Sequence, residues 1–273
     1  MAIIAISRQV AALGDEIAAE VAKRLGYSFV GRQAIEKKII ELGFPAEKLK
    51  KYDERKPGFF ASLAKDRDEY LDYLQTAVLE AASQQNCILI GRGAFFILED
   101  IPNLISLRFV AKDAVRLQRL MKEFSWDEKQ AQQRITESDT NRMGFHKSFF
   151  NLNNDTADQY HLIMNTGILN VDSASTIIVE LVKSLITPEL EEAGKKKLDE
   201  LLIAQHLVNK LVFEHKLNIS FLKAVVDGKK ITLQGVADSA ALVEKAVAVS
   251  SSIMQDYEVE SAISVVQDFK SYP

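Results

Sequence analysis

Hydrophobic positions along the first thirty residues change their period once. Residues 3–6, IIAI, form an unbroken apolar run of the kind that makes a buried strand. Residues 18–25 then place Ala18, Val21, Ala22 and Leu25 on one helical face. The stretch between them, from Ser7 to Glu16, contains one glycine, Gly14. The same alternation continues downstream. Residues 34–42 read as a helix, Pro45 opens a charged helical stretch, and Lys56, Pro57 and Gly58 break it. Over residues 68–84, Leu71, Leu74, Val78, Leu79 and Ala82 recur at helical spacing, which predicts a long helix packed on a core. It runs into the apolar run 87–90, and residues 104–110 and 161–164 supply two further strands. Between these, Asp113 is placed to cap a helix over 114–123. Ser125 and Glu128 have capping-box spacing for a helix to about residue 143, and a helix over 173–185 closes the series. Strands alternating with helices predict a parallel sheet.

After Thr187-Pro188 the pattern changes to the strongly charged PELEEAGKKKLDE, whose composition suits a solvated helix or linker rather than a core element. Beyond it, residues 198–212 read as an amphipathic helix. Strands over 217–226 and 229–236 flank Asp227-Gly228, a favoured hairpin turn pair, and a helix over 239–254 and a strand over 258–267 follow. The expected architecture is therefore a three-layer α/β domain over residues 1–187, a charged linker over 188–197, and a small α+β domain of αββαβ order over 198–273.

Composition narrows the function classes. A chain of 273 residues with 47% hydrophobic content has the size and core for such a pair of domains. The formal net charge of -4 gives no general basis for binding nucleic acid, although local basic clusters still suit small anions. The one cysteine, Cys87, lies in the apolar run CILIG, where a buried, inert thiol in a reducing cytoplasm is expected. No apolar run approaches a bilayer-spanning length, and the N-terminus lacks the layout of a secretion signal, so a soluble cytoplasmic protein is expected.

Candidate chemistry is concentrated in arginines. Arg134, Ser138 and Arg142 fall at i, i+4 and i+8, with Asp139 three residues before Arg142 and His146 and Lys147 just beyond. Such a face either closes over a phosphate-bearing ligand, whose oxygens match guanidinium forks, or is a solvated helix face with ordinary ion pairs. Arg92, in IGRGA, follows a predicted strand at the carboxyl end, where open α/β sheets bind ligands; its flanking glycines serve a close backbone approach or a turn. Arg116 and Arg119 share a helix face, and Arg119 is also spaced to pair with Glu123. Asp15 and Glu16 suit the first turn of a helix through its macrodipole, but oppose a phosphate there. The histidines, His146, His161, His206 and His215, lack partners at metal-ligand spacing, so no protein-built metal site is expected, and no Gly-x-Ser-x-Gly nucleophile occurs.

Taken in register, these segments resemble the cytidylate-kinase-like family of P-loop phosphotransferases over about residues 2–185. ISRQ followed by DEIAAEVAKRLGY is similar to its opening strand, loop and helix, and CILIGRGAFFIL to its strand ending in Gly-Arg. RFVAKDAVRLQRLM is similar to its Arg-bearing helix, AQQRITESDTNRMGFHKSFF to its lid, and YHLIMNTGIL to its last strand. The resemblance implies transfer of the ATP γ-phosphoryl group to a nucleoside monophosphate-like acceptor, with ATP and Mg2+ as cofactors. It implies that Ser7, Arg8, Gln9, Gly14, Asp15 and Glu16 face the donor phosphates and that Arg116 and Arg119 lie near the site. It also implies that Arg92 approaches the acceptor, while Arg134, Asp139 and Arg142 form the lid.

Several positions depart from the family pattern. Ala11, Ala12 and Leu13 replace the small Gly and Ser residues of the loop, Asp15 falls near the place of a Walker Ser or basic residue, and no loop Lys is present. Gly31, Gln33 and His161 stand where the family tends to be acidic. The alternative expectation is therefore a catalytically impaired regulatory protein with a degenerate P-loop that binds a nucleotide, another anion, or no cofactor. Residues 198–269, containing VVDGKKITLQGVADSAALVEKAV, resemble a BON domain. That resemblance implies ligand or surface binding, with a homo-oligomer or protein partner as the other role for this part of the chain.

Overall fold

The computed structural model describes residues 2–49, 52, 64–152 and 156–266, without the side chains of 64–66. The chain divides into two units, Met1–Lys195 and Lys196–Pro273. The first runs through β1 (Ile3–Arg8), α1 (Gly14–Leu25), β2 (Ser28–Val30), α2 (Arg32–Glu41), α3 (Ala46–Leu49) and α4 (Ala64–Ser83). It continues through β3 (Cys87–Ile90), α5 (Ala94–Ile97), β4 (Leu104–Val110), α6 (Asp113–Phe124), α7 (Glu128–Phe150), β5 (Leu162–Asn165) and α8 (Val171–Leu185). Its five strands form one sheet in the order β2-β3-β1-β4-β5, every pair parallel. β1 lies at the centre, hydrogen-bonded on both edges, and both its faces are buried over Ile3, Ile4, Ala5 and Ile6, which is why that run is apolar rather than alternating. Ile4, Ile6, Ile88, Ile105 and Leu107 of the sheet pack with Ile17 and Val21 of α1 and Ile178 and Val182 of α8. Arg24 joins these two helices, donating to Asp172 at 2.7 Å and Thr176 at 2.9 Å.

Element ends differ from the sequence expectation where side-chain chemistry decides them. Asp113 does not cap α6: Lys112 is the N-cap residue, and the Asp113 carboxylate instead accepts from Arg116 one turn on. The capping box of α7 is Asp127 with Gln130, not Ser125 with Glu128; Ser125 ends α6 at φ 54°. α7 also extends to Phe150, because Phe145, His146, Phe149 and Phe150 are buried along its last turns. β2 carries no apolar run, since Ser28 and Phe29 are exposed on an edge strand. The breaker Lys56-Pro57-Gly58 lies outside the described residues.

The charged segment after Thr187 is helical, in α9 (Pro188–Asn209), which begins in the first unit and ends in the second with a π-helical turn, Lys210–Glu214. The second unit continues with β6 (Ser220–Asp227), β7 (Lys230–Ala237), α10 (Ala240–Ile253) and β8 (Glu258–Val265). Its sheet has the order β6-β7-β8, with β6 antiparallel and β8 parallel to β7. Leu207, Leu211, Val226, Ile231, Leu233 and Ala246 form its core. Gly228, in the β6–β7 turn, has φ 58°, the left-handed conformation that a tight hairpin requires. No helix among the described residues is long and apolar enough to cross a membrane.

Candidate functional site

The candidate site lies at the carboxyl end of β1, where the chain leaves the sheet for α1. Gln9 anchors the connecting loop twice: its N–H donates to the Phe109 carbonyl at 3.0 Å, and its side-chain oxygen accepts from the Ala111 N–H at 3.0 Å. Ala11 and Leu13 then adopt φ values of 58° and 55°. Glycine reaches this region freely, whereas an L side chain costs about 1–2 kcal/mol there. The loop thus holds a glycine-type path without glycine at those points. Gly14 opens α1, and a Cβ there would come within 2.7 Å of Arg8 Cγ, so the Arg8 side chain lies directly over the helix start. Arg8 Nε is 3.8 Å from the exposed Asp15 carboxylate. No side chain caps α1, which leaves its first N–H groups for water or an anion.

The loop's apolar residues have a definite use. Val10 and Ala11 pack against Leu120, Ala131 and Ile135, together with Trp126, so the α6–α7 hairpin rests on the loop. Arg119 of α6 braces the same region, donating to the Ala11 carbonyl at 2.9 Å and to the Thr166 carbonyl at 2.6 Å. Arg116 is 2% exposed and reaches α7: its two terminal nitrogens donate to the two Asp139 oxygens at 3.1 and 2.8 Å, and one also donates to Asp113 at 2.6 Å. Burial opposes its charge, but the bonds to Asp139 and then Asp113 outweigh burial and leave its pKa above the ordinary value.

Arg92 follows β3 in a turn where Gly91, Arg92 and Gly93 all have positive φ, 82°, 54° and 68°. A side chain at Gly93 would overlap the Phe150 ring, so α7 closes tightly on this turn. Arg92 is 1% exposed, donating to the Glu36 carboxylate of α2 and to the Tyr52 carbonyl at 3.2 Å. Above it Tyr52 stacks on Tyr70 with centroids 4.8 Å apart, and Phe149 lies against both.

Ser7, Arg8, Gly91, Arg92, Arg142, Phe145 and His146 line one cavity of about 10 Å3, the space of a single water. Of the sequence-predicted residues, the fold thus brings Ser7, Arg8, Arg92 and Arg142 to one cavity, and Gln9, Gly14, Asp15 and Glu16 to the adjoining loop. Asp139 lies 4.0 Å from Arg142 and links the cavity to Arg116. Arg134 is exposed and does not line the cavity. Sequence reading missed Glu36 as the counter-ion of Arg92, for no local spacing connects residues 56 apart. It also missed the Asp113–Arg116 pair, whose i, i+3 spacing was a usable signal.

Comparison with known proteins gives a family match over this region. The model of the Cytidylate kinase-like family matches residues 3–168, within the first unit. No curated protein sequence matches the chain. Among solved structures, an uncharacterized protein from Eubacterium ventriosum ATCC 27560 has a TM-score of 0.55 at 21% identity, covering 67% of this chain and 98% of that one. That likeness bears on the fold alone. Shikimate kinase from Bacteroides thetaiotaomicron has a TM-score of 0.43 at 16% identity, over 67% of this chain and 98% of that chain. A gluconokinase from Sinorhizobium meliloti 1021 has a TM-score of 0.43 at 14% identity, over 67% and 95%.

Proposed function

Because the chain belongs to the cytidylate kinase-like family, we propose that its first unit binds a nucleotide or another phosphate-bearing small molecule at the β1–α1 loop, with turnover weak or absent. One observation carries this reading: Arg92, Arg116 and Arg119 direct donors at the chain's own carboxylates and carbonyls. Guanidinium groups held in such bonds are costly to redirect toward a transferring phosphoryl group. On this reading the uncapped N–H groups of α1 bind the anion, and Arg8 and Arg142 neutralise it from the cavity side. Magnesium, when bound, would supply positive charge that offsets the donor phosphates. Ser7 and Asp15 are the nearby oxygen donors, but the Asp15 carboxylate faces Arg8 at 3.8 Å, which makes it a poor ligand as it stands. We place the protein in the cytoplasm, its second unit acting as a BON-like ligand- or surface-binding module, with domain limits at 1–187 and 198–273.

A second reading, phosphoryl transfer from ATP to a nucleoside monophosphate-like acceptor, is favoured by the loop itself. Ala11 and Leu13 keep left-handed backbone in front of an uncapped helix, a cradle shape retained at a cost in strain. Isothermal titration with ATP-magnesium and with CMP, followed by a coupled turnover assay on a panel of monophosphates, separates the two. Binding of ATP without turnover is the expected result. Turnover near about 1 per second, the low end of the usual kinase range, would establish the second reading against the first. Absence of binding by either nucleotide at millimolar concentration would refute the second reading and the nucleotide form of the first. Asp15→Ser tests the electrostatics. A carboxylate about 5 Å from a phosphate charge costs about 3 kcal/mol at an effective dielectric of about 20 and about 0.8 at about 80. Asp15 is 65% exposed, so the lower figure governs, and ATP should bind about four-fold tighter; unchanged affinity would show that the carboxylate does not face the phosphates.

A further inference from the structure

The two edges of the second unit's sheet differ. β6 is blunted: its register shifts between Ser220 and Lys223, where Phe221 takes φ 54° and stands 72% exposed. Such a bulge turns an edge away from further pairing. β8 has no such device. It matches β7 without a shift from Lys230↔Glu258 to Ala237↔Val265, and among the described residues no strand lies on its other side. The N–H groups of Glu258 and Val266 donate toward the β7 side, to the carbonyls of Lys229 and Ala237. By alternation, Val259, Ser261, Ile263 and Val265 present their N–H and C=O groups to the open edge. Ile263 N–H receives only a local substitute there, the Ser261 hydroxyl at 3.1 Å. Charged side chains are the other common guard of an edge, and Glu260 does not serve as one. It is drawn back over β7 by Lys230 at 2.9 Å and Thr232 at 2.9 Å, contacts that hold its carboxyl below the usual range.

We propose that the β8 edge is an interface with a second copy of this chain, the two β8 strands pairing antiparallel about a two-fold axis at Ala262. The register follows from the residues. Centring on Ala262 uses the full run from Glu258 to Val266 and makes Val259 opposite Val265 and Ser261 opposite Ile263 the hydrogen-bonded pairs, so that Ile263 N–H exchanges the Ser261 hydroxyl for a main-chain carbonyl. On the outer face Glu258 meets Val266 and Glu260 meets Ser264, while Ala262 meets its own copy in a close, non-hydrogen-bonded pair. No carboxylate faces another. Centring on Glu260 would oppose two like charges, which disfavours that alternative. Val265, 44% exposed, and Val266, 57% exposed, both gain neighbours in the Ala262 register.

The test uses the full chain. Sedimentation equilibrium should show a reversible dimer that Ala262→Glu weakens at least about ten-fold, since that substitution sets two carboxylates face to face on an exposed position. Under mild oxidation Ala262→Cys should form a disulfide-linked dimer, because a close antiparallel pair has the Cα separation a disulfide needs. The same substitution at Ser251, exposed on α10, serves as control, and Cys87 is buried and does not compete. A wild-type chain that stays monomeric up to about 100 µM, at the weak end of the affinity scale, overturns the proposal. So does a dimer that Ala262→Glu leaves intact, or cross-linking at position 262 no faster than at 251.

Discussion

Asp139→Asn tests whether the α6–α7 hairpin is held over the loop by charge. Arg116 is 2% exposed and Asp139 is 32% exposed, and their forked contact has lengths of 2.8 and 3.1 Å. Removing one partner of a buried ion pair costs about 3–5 kcal/mol, chiefly because the surviving charge is left uncompensated. Here compensation is partial, for Asp113 still accepts from Arg116 at 2.6 Å and the introduced amide oxygen can accept one bond. The expected loss is therefore about 2–3 kcal/mol, and at about 2–4 °C per kcal/mol for a unit of this size the melting temperature should fall by about 5–10 °C. Differential scanning calorimetry of the full chain measures it. Asp113→Asn is the comparison: Asp113 is 67% exposed, its contribution is screened, and its loss should cost under about 1 kcal/mol. Equal losses from the two substitutions, or a loss below about 1 kcal/mol from Asp139→Asn, would refute the argument that the buried fork is what holds the hairpin.

Two further outcomes are expected. Ala11→Gly should stabilise the fold by about 0.5–1 kcal/mol by removing left-handed strain at φ 58°, read as a higher denaturation midpoint; a lower midpoint would mean that the Ala11 methyl's contact with the Leu120 cluster outweighs the strain. Burial pushes the Cys87 thiol up from 9.0 to about 12, so at about pH 8 a thiol reagent should label it only as fast as the protein unfolds, and prompt labelling of native protein would contradict the burial. Because the folded value is the higher one, the stabilisation this group contributes is complete below about pH 9 and is lost as pH rises toward about 12.

What could be read from sequence followed the range of the interaction concerned. The runs 3–6, 87–90 and 104–110 were legible because a strand covered on both faces is built mostly from apolar residues; the last two residues of β1, Ser7 and Arg8, read as loop. β2 was not, since an exposed edge strand of three residues owes its existence to its pairing with Ile88 and Leu89 rather than to its own composition. The family resemblance assigned Ser7 and Arg8 to the donor phosphates, Arg92 to the acceptor and Arg142 to the lid, and in the fold all four line one cavity. It could not indicate that Glu36 and the Tyr52 carbonyl occupy Arg92, contacts made across 56 and 40 residues. The loop illustrates the limit most sharply. Ala11 and Leu13 read as departures from a glycine-rich cradle, yet the backbone takes the left-handed path at both, because Gln9, Arg119 and the α6–α7 hairpin fix it from outside.

Trp126 is the chain's single tryptophan. It sits in the turn between α6 and α7, stacked on Phe124 with ring centroids 4.6 Å apart, and shares a cluster with Val10 and Ala11. The molecule therefore carries an intrinsic fluorophore at the point where the loop meets the hairpin that covers it. Lifting the hairpin wets the indole and shifts its emission to the red, so opening of this region can be timed in stopped flow on unlabelled protein.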